Sequence, residues 1–171
     1  FSGDKLLGGP QSGIVVGQTE LVRRLERHPL ARAVRIDKMN LAGLTATVLH
    51  YLKQEAEAEV PIWRMISASE EGIKDRAARW KTQLSLPGEV ISGRSAVGGG
   101  SLPGETLPTW VLALSCEGDA GGPERVMRRL READPPVIAR IEDDRVILDP
   151  RTVMPEEEES LLTALRDALS R

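Results

Sequence analysis

The sequence predicts an α/β chain in two parts, of which the second is a small α+β domain. Helical periodicity interrupted by prolines runs through residues 19–84, where Ile73, Ala77 and Trp80 fall on one helix face. From Gly88 the pattern changes to short β-branched runs bounded by glycine and proline. From there the sequence predicts strands over 90–94 and 109–115 joined by a glycine-rich loop over 98–104, and a helix over 123–132. A hairpin of strands 137–141 and 145–149, with its tight turn at Asp143-Asp144, and a last helix over 155–171 follow. Cys116 ends the apolar run of the second strand, so we expect it to be buried. The resulting order β-β-α-β-β-α is typical of helices packed on one face of a small sheet.

In the first part, the pattern predicts one strand and two helices. Ile14–Val16 is a β-branched run between glycines, which favours a buried strand. A helix is predicted from Thr19 to about His28, where Pro29 ends it. A longer helix is predicted from about Met39 to Glu57. Apolar side chains on the buried faces of these two helices are Leu21, Val22 and Leu25, and Leu41, Leu44, Val48 and Leu52.

The longer helix also carries the predicted domain boundary. The sequence becomes polar over Gln54–Glu59, and Pro61 then begins a new segment. We place the boundary near residue 55, which divides the chain into residues 1–55 and residues 56–171.

Composition excludes several classes of protein. The 171 residues are 40% hydrophobic and 29% charged, as in ordinary globular domains. No apolar run approaches the roughly 18 residues of a membrane span, so we expect no membrane association. A single cysteine, Cys116, excludes an internal disulfide and fits a reducing cytosol, so we expect a cytoplasmic protein. The two histidines, His28 and His50, lack metal-ligand spacing.

Charge is distributed unevenly along the chain. The net charge of −3 argues against a general nucleic-acid binder. Between Leu21 and Lys38, however, six basic residues stand against two acidic ones. Arginine suits phosphate binding because its planar fork grips oxygens in pairs. On the residues alone, Arg32 and Arg35 fit an anion site, an exposed basic loop, or salt bridges with Asp37 and Glu26.

The first eleven residues, Phe1–Gln11, form the segment that most clearly suggests a catalytic group. We call this segment the lysine loop. Lys5 stands between small residues, with Gly3 before it and Gly8-Gly9 after it. A lysine that forms a Schiff base needs close backbone approach to its cofactor, which glycines permit. The neighbouring Asp4 is a candidate proton carrier or orienting group. The alternative is a Gly/Pro turn with a solvated lysine.

The amino-acid sequence of this loop resembles that of a known protein family. Ser2–Gln11, Ser-Gly-Asp-Lys-Leu-Leu-Gly-Gly-Pro-Gln, continues to Gly17 and is similar to the lysine segment of the bacterial selenocysteine synthases, the L-seryl-tRNA(Sec) selenium transferases. The glycine-rich stretch Val97–Pro103 resembles the C-terminal domain of the same family. The Asp-Lys-Leu-Leu-Gly-Gly-Pro-Gln run distinguishes this family from other pyridoxal phosphate enzymes that share the lysine and a following Gly-Pro.

The resemblance implies a fold and indicates which part of the family's enzymes this chain corresponds to. These enzymes have the α/β fold of the fold-type-I pyridoxal phosphate-dependent transferases. Residues 1–55 would be the C-terminal part of the cofactor-binding large domain, and residues 56–171 the α+β C-terminal small domain. We therefore expect a C-terminal fragment, beginning at the lysine motif, that is inactive alone. The family assembles as a homodecamer, so the resemblance implies a homo-oligomer.

The resemblance also implies a reaction and its residues. Pyridoxal 5'-phosphate would be bound by Lys5, with Asp4 assisting catalysis. Seryl-tRNA(Sec) would be converted to selenocysteyl-tRNA(Sec) through a dehydroalanyl intermediate, with selenophosphate as the selenium donor. Arg32 and Arg35 match the family segment whose arginines bind the donor's phosphate group. No metal is implied.

Two alternatives remain open on the sequence. One is another fold-type-I pyridoxal phosphate enzyme, such as a sugar-acid ammonia lyase, which would share Lys5 and Gly9-Pro10 without needing the arginine pair. The other is a non-catalytic α+β interaction module in which the lysine loop is incidental.

Overall fold

The computed structural model describes residues 1–85, 87–98, 100–116 and 121–170. The chain divides into two compact units, Phe1–Ser67 and Ala68–Arg171. The predicted boundary near residue 55 differs from this division. Two further short helices, described below, belong to the first unit.

The first unit contains five helices within its described residues. They are α1 (Thr19–Arg27), α2 (Pro29–Ala33), α3 (Lys38–Leu52), α4 (Ala56–Glu59) and α5 (Pro61–Ser67). Helix α3 begins at the N-cap Asp37, whose side chain accepts a hydrogen bond from the Asn40 backbone N–H. The predicted long helix is therefore shorter, because Leu52 ends α3 and a separate turn of helix follows. The sequence pattern gives residues 30–38 as a connection, but Pro29–Ala33 is helical because Pro29 fits the first turn of a helix.

The strand predicted over Ile14–Val16 is wrong. Ser2 and Gly13 form a single antiparallel bridge, and Phe1 and Ile14 exchange backbone hydrogen bonds of 2.8 Å. The pairing ends there, and Val16 is 76% exposed. The β-branched run thus lacks a second strand beside it in the described part of the chain.

The helices of the first unit expose apolar side chains that the periodicity predicted as buried. In α1, Leu21 and Leu25 are 52% and 54% exposed. In α3, Leu44 is half-buried, whereas Leu52 is exposed. The stripes exist at the predicted spacing, but the described residues cover them only in part, as at Leu44, whose side chain lies against Gly3 and Gly9.

In its described residues, the second unit has a four-stranded antiparallel sheet, three α-helices and two short 3-10 helices. Its elements are α6 (Glu70–Leu84), β1 (Gly88–Ala96), β2 (Thr106–Ser115), α7 (Gly122–Glu132), β3 (Arg140–Glu142), β4 (Arg145–Leu148) and α8 (Glu158–Leu169). The strand order is β1-β2-β4-β3. This confirms the predicted β-β-α-β-β-α order. Residues 61–67 and 70–84 are helical as predicted, and Ser69, a residue suited to a helix N-cap, begins α6 by accepting a hydrogen bond from the Gly72 N–H through its hydroxyl oxygen.

One hydrophobic core joins the three helices to the sheet. Trp80 of α6, Leu130 of α7 and Leu165 of α8 are completely buried, together with Leu112 of β2 and Val146 of β4. The same face of the sheet therefore receives all three helices, as the pattern predicted.

A buried carboxylate ties the strands together at the end of β4. Asp149 accepts hydrogen bonds from the hydroxyls of Ser95 and Thr109, at 2.6 and 3.0 Å, and from the Arg151 backbone N–H at 3.0 Å. The Arg151 guanidinium donates to the carbonyls of Ala68 and Pro108. Burial lowers the pKa of Arg151, and the nearby Asp149 charge opposes that effect. These hydrogen bonds fix β1, β2 and the turn after β4 in one arrangement.

Smaller expectations for the second unit have mixed outcomes. Asp143 and Asp144 both have positive φ and form the tight turn of the β3–β4 hairpin, as predicted. Cys116 is buried, as expected. The strand predicted from Val137 covers only Arg140–Glu142. Gly99, in the predicted Gly98–Gly100 loop, lies outside the described residues, as does Arg171 at the end of the predicted last helix.

The described residues hold neither a membrane-length apolar helix nor a cluster of three potential metal ligands. Each helix in the described part of the chain is too short or too polar to cross a bilayer. The His, Cys, Asp and Glu side chains described there form no group of three that could bind a metal ion.

Candidate active site around Lys5

Lys5 begins a tight turn whose shape depends on glycine. The Gly8 backbone N–H donates to the Lys5 carbonyl at 2.9 Å, which closes a turn with Leu6 and Leu7 at its centre. Gly8 has a φ of 76°, and a Cβ built there would lie 2.3 Å from Val60 Cγ1. Glycine is therefore required at this position both for its backbone angle and for space.

The other side of the lysine loop is fixed by backbone hydrogen bonds. The Gly3 N–H donates to the Ser12 carbonyl, and the Gly9 N–H donates to the Gly3 carbonyl, each at 2.8 Å. Gly3 is buried, whereas Asp4 and Lys5 are exposed. The loop thus presents two charged side chains on an ordered backbone.

A tyrosine from α3 holds the centre of the turn. The Tyr51 hydroxyl lies 2.8 Å from the Leu7 carbonyl oxygen and 3.2 Å from that of Leu6. The same hydroxyl accepts a hydrogen bond from Trp63 Nε1 at 2.5 Å. Both side chains are half-buried. The two carbonyls at the centre of the lysine turn therefore accept from one residue more than forty positions away, Tyr51.

Lys5 and Asp4 line an open cleft of about 620 Å³ together with Arg35. The cleft is formed entirely within the first unit, between the lysine loop and the segment that leads into α3. Its other lining residues are Ser2, Gln11, Ser12, Gly13, Val34, Ile36, Asp37 and Asn40. Three of the four predicted site residues are thus brought together across about thirty positions of sequence.

The fourth predicted residue, Arg32, lies elsewhere. It is an exposed residue in the last turn of α2 and does not line this cleft. Neither Arg32 nor Arg35 forms an ion pair with Asp37 or Glu26 in the described residues, so the proposed salt-bridge explanation for these arginines finds no support there.

Asp37 gives the cleft a fixed negative charge beside its positive ones. Hydrogen bonding from the Asn40 backbone N–H, at 2.9 Å, lowers the pKa of Asp37 below its usual value. The ionised carboxylate therefore occupies the N-terminus of α3. Lys5 and Arg35 are the basic side chains that line the cleft, so they are the candidates for binding an anion there.

A larger groove of about 740 Å³ in the second unit is poorly suited to a phosphate-bearing anion. It lies between α7 and α8. Its lining includes the carboxylates Glu132, Asp134, Glu156, Glu159 and Asp167, and Arg129 is its basic residue. Repulsion by these side chains disfavours anions, so the cleft around Lys5 is the better candidate.

Sequence reasoning missed Tyr51, Trp63 and Asp37 as parts of this site. Tyr51 lies in a helical pattern that gives no sign of a partner in the lysine loop. Asp37 could have been recognised from the sequence, because an aspartate directly before a helical pattern is typical of a helix N-cap.

Comparison with known proteins places the chain in a family. A family model described as L-seryl-tRNA selenium transferase matches residues 1–154. The chain belongs to this family. The matched residues contain the whole cleft around Lys5, and they confirm the resemblance on which the sequence interpretation depends.

Individual members of the family are similar over nearly the whole chain. The L-seryl-tRNA(Sec) selenium transferase of Moorella thermoacetica is 44% identical over 179 residues, which cover 99% of this chain and 37% of the relative. The enzyme of the same name from Aquifex aeolicus is 40% identical over 173 residues, covering 99% and 38%. The chain therefore spans a little over a third of the length of these curated relatives.

A solved structure supports the fold. The structure of D-glucosaminate-6-phosphate ammonia-lyase matches with a TM-score of 0.62, covering 98% of this chain and 42% of that one. The sequence identity is only 18%, so this likeness concerns the fold alone. It agrees with the predicted α/β fold class.

Proposed function

We propose that this chain supplies the reactive lysine and an anion-binding arginine of a selenium transferase. The overall reaction would convert seryl-tRNA(Sec) to selenocysteyl-tRNA(Sec): the serine β-hydroxyl is lost as water, selenium adds from selenophosphate, and phosphate is released. The observation that carries the proposal is the shared cleft of Lys5, Asp4 and Arg35, in a chain of the L-seryl-tRNA selenium transferase family.

The residues around Lys5 fit pyridoxal 5'-phosphate as the cofactor. The Lys5 side chain is exposed in the cleft, and it forms no ion pair within the described residues that would compete for its amine. When bound, the cofactor would supply an electron sink at the substrate α-carbon. Lys5 is the residue of this chain that would hold it.

The chain's own groups have distinct tasks in this proposal. The Lys5 amine takes and returns the proton at the seryl α-carbon. Asp4, the adjacent side chain in the same cleft, orients that amine or accepts its proton. Arg35 binds the phosphate oxygens of the selenium donor, with the paired geometry that a guanidinium provides.

The proposal also assigns the two parts of the chain to domains of the enzyme and names its partners and its location. Residues 1–55 would be the end of the cofactor-binding large domain, and residues 56–171 the small C-terminal domain. The partners would be seryl-tRNA(Sec), selenophosphate and further copies of the same protein in a homodecamer. The family resemblance and the single buried thiol of Cys116 support a cytoplasmic location.

The test is a selenium-transfer assay with the protein expressed from its complete reading frame. Seryl-tRNA(Sec), selenophosphate and pyridoxal 5'-phosphate are supplied, and the aminoacyl group is identified by mass spectrometry. Selenocysteine on the tRNA supports the proposal. Recovery of serine alone, from a folded protein with bound cofactor, would contradict it.

The two arginines should differ in this assay. Replacing Arg35 with alanine should lower kcat/KM for selenophosphate by roughly 100-fold, because a fixed cationic contact to the anion is lost. Since Arg32 lies outside the cleft, Arg32→Ala should have a smaller effect. Cofactor content, measured by absorbance, should stay at the wild-type level in both variants. Loss of cofactor in Arg35→Ala would count against its assignment to the donor.

A further inference from the structure

The hydroxyl of Tyr51 occupies an unusual place beside the reactive lysine. It contacts no charged group of the cleft. Instead it binds the main chain of the two residues that follow Lys5, at 2.8 Å from Leu7 O and 3.2 Å from Leu6 O. These carbonyls belong to the centre of the turn that Lys5 begins and Gly8 closes. A group that holds this turn also fixes the starting point of the Lys5 side chain.

Trp63 determines which hydrogen bonds the Tyr51 hydroxyl donates and which it accepts. The indole Nε1–H can only donate, so the Tyr51 oxygen is the acceptor of their 2.5 Å hydrogen bond. The single hydroxyl proton of Tyr51 must then point to the lysine turn. Donation is shared between the Leu7 and Leu6 carbonyls. The relay Trp63→Tyr51→Leu7 therefore runs in one direction, from α5 through α3 into the lysine loop.

We propose that Tyr51 is a positioning residue for Lys5, with Trp63 fixing the direction of its hydroxyl. The claim concerns the placement of the Lys5 amine in its cleft, and its kinetic part rests on the proposed function. Small displacements of a reacting group are costly, since a shift of about 1 Å can reduce a rate by roughly 100-fold. The Tyr51 hydroxyl restrains the backbone at a distance of one to two residues from Lys5.

The chain offers a matched control for the loss of this hydroxyl. Thr45 lies on the same helix, and its Oγ1 also donates to a backbone carbonyl, at 2.8 Å. Its acceptor is Leu41 of the same helix, so this hydrogen bond has no link to the lysine loop. Tyr51→Phe and Thr45→Val each remove one hydroxyl and keep the shape of the side chain.

The experiment uses the protein from its complete reading frame. We first measure the rate at which pyridoxal 5'-phosphate, followed by borohydride, labels the Lys5 peptide of the apoprotein. Tyr51→Phe should slow this labelling about 10-fold, whereas Thr45→Val should leave it unchanged. Hydrogen exchange of the Gly8 amide, which closes the turn, should become faster in Tyr51→Phe alone.

Kinetics separate positioning from simple destabilisation. In the selenium-transfer assay, Tyr51→Phe should lower kcat roughly 10- to 100-fold and change KM for seryl-tRNA(Sec) by less than about twofold. Trp63→Phe should act in the same direction, and the double variant should be no worse than Tyr51→Phe, because both act through one hydroxyl.

Wild-type labelling and kinetics in Tyr51→Phe would overturn the proposal, as would additive effects in the double variant. The proposed function can fail independently. If the wild-type protein transfers no selenium but Tyr51→Phe still slows Lys5 labelling, the positioning role is supported and the activity is wrong.

Discussion

Replacing Asp149 with alanine should lower the free energy of unfolding of the second unit by about 3 to 5 kcal/mol. The change removes the shared acceptor of Ser95, Thr109 and the Arg151 backbone N–H, and all three residues are buried. It also removes one of the two negative charges that act on the buried Arg151 guanidinium, and leaves only that of Glu70. Hydrogen exchange of the β2 amides reports the stability of this unit directly.

Asp75 provides the control for that experiment. It is an exposed carboxylate on α6 in the same unit. Asp75→Ala should change the same exchange free energies by no more than about 0.5 kcal/mol. Equal effects of the two substitutions would show that the Asp149 cluster does not stabilise the sheet.

Gly8→Ala should disrupt the lysine loop. An alanine at φ of 76° costs about 1 to 2 kcal/mol, and its Cβ would lie 2.3 Å from Val60 Cγ1. Overpacking adds about 1 to 3 kcal/mol, so the loop should lose about 2 to 4 kcal/mol of stability. We expect faster hydrogen exchange at Gly9, whose N–H donates to the Gly3 carbonyl, and loss of the turn that begins at Lys5.

Gly17→Ala is the matched substitution, because no atom lies within 4 Å of a Cβ built at Gly17. This variant should keep the wild-type exchange rate at Gly9. A Gly8→Ala protein with an unchanged lysine loop would contradict the steric account of this turn.

The second unit was largely predictable because its sequence pattern and its packing agree. Ile73, Ala77, Trp80 and Leu84 recur at helical spacing and are all buried on one face of α6. The Asp143-Asp144 pair allowed the prediction of the tight hairpin turn. In both cases the local preference and the tertiary environment favour the same structure.

The first unit was harder to predict because its periodicity does not correspond to burial. Leu21 and Leu25 have the spacing of a buried stripe but are exposed within the described residues. Val15 and Val16 have strand-forming side chains but lack a pairing partner there. Periodicity gives the direction in which a side chain points, and it gives no information about what covers that face.

Some residues of the candidate site were predicted and others were missed, because local sequence patterns do not show which distant residues meet. Lys5 and Asp4 were identified from the amino-acid sequence of the lysine loop. Arg35 was identified from its match to the family segment whose arginines bind the donor's phosphate group. Their meeting in one cleft depends on how residues 34–40 return to the loop, which the sequence pattern does not specify. Tyr51 was missed because its hydroxyl binds backbone carbonyls, and such contacts leave no side-chain pattern.

The most direct test of the central claim is chemical trapping at Lys5. The protein from its complete reading frame is purified with pyridoxal 5'-phosphate, reduced with borohydride, digested and analysed by mass spectrometry. We predict a pyridoxyl group on Nζ of Lys5, in the peptide that contains Ser2–Gln11. A folded, full-length protein with Lys5 unmodified, or with the label on another lysine, would contradict the account.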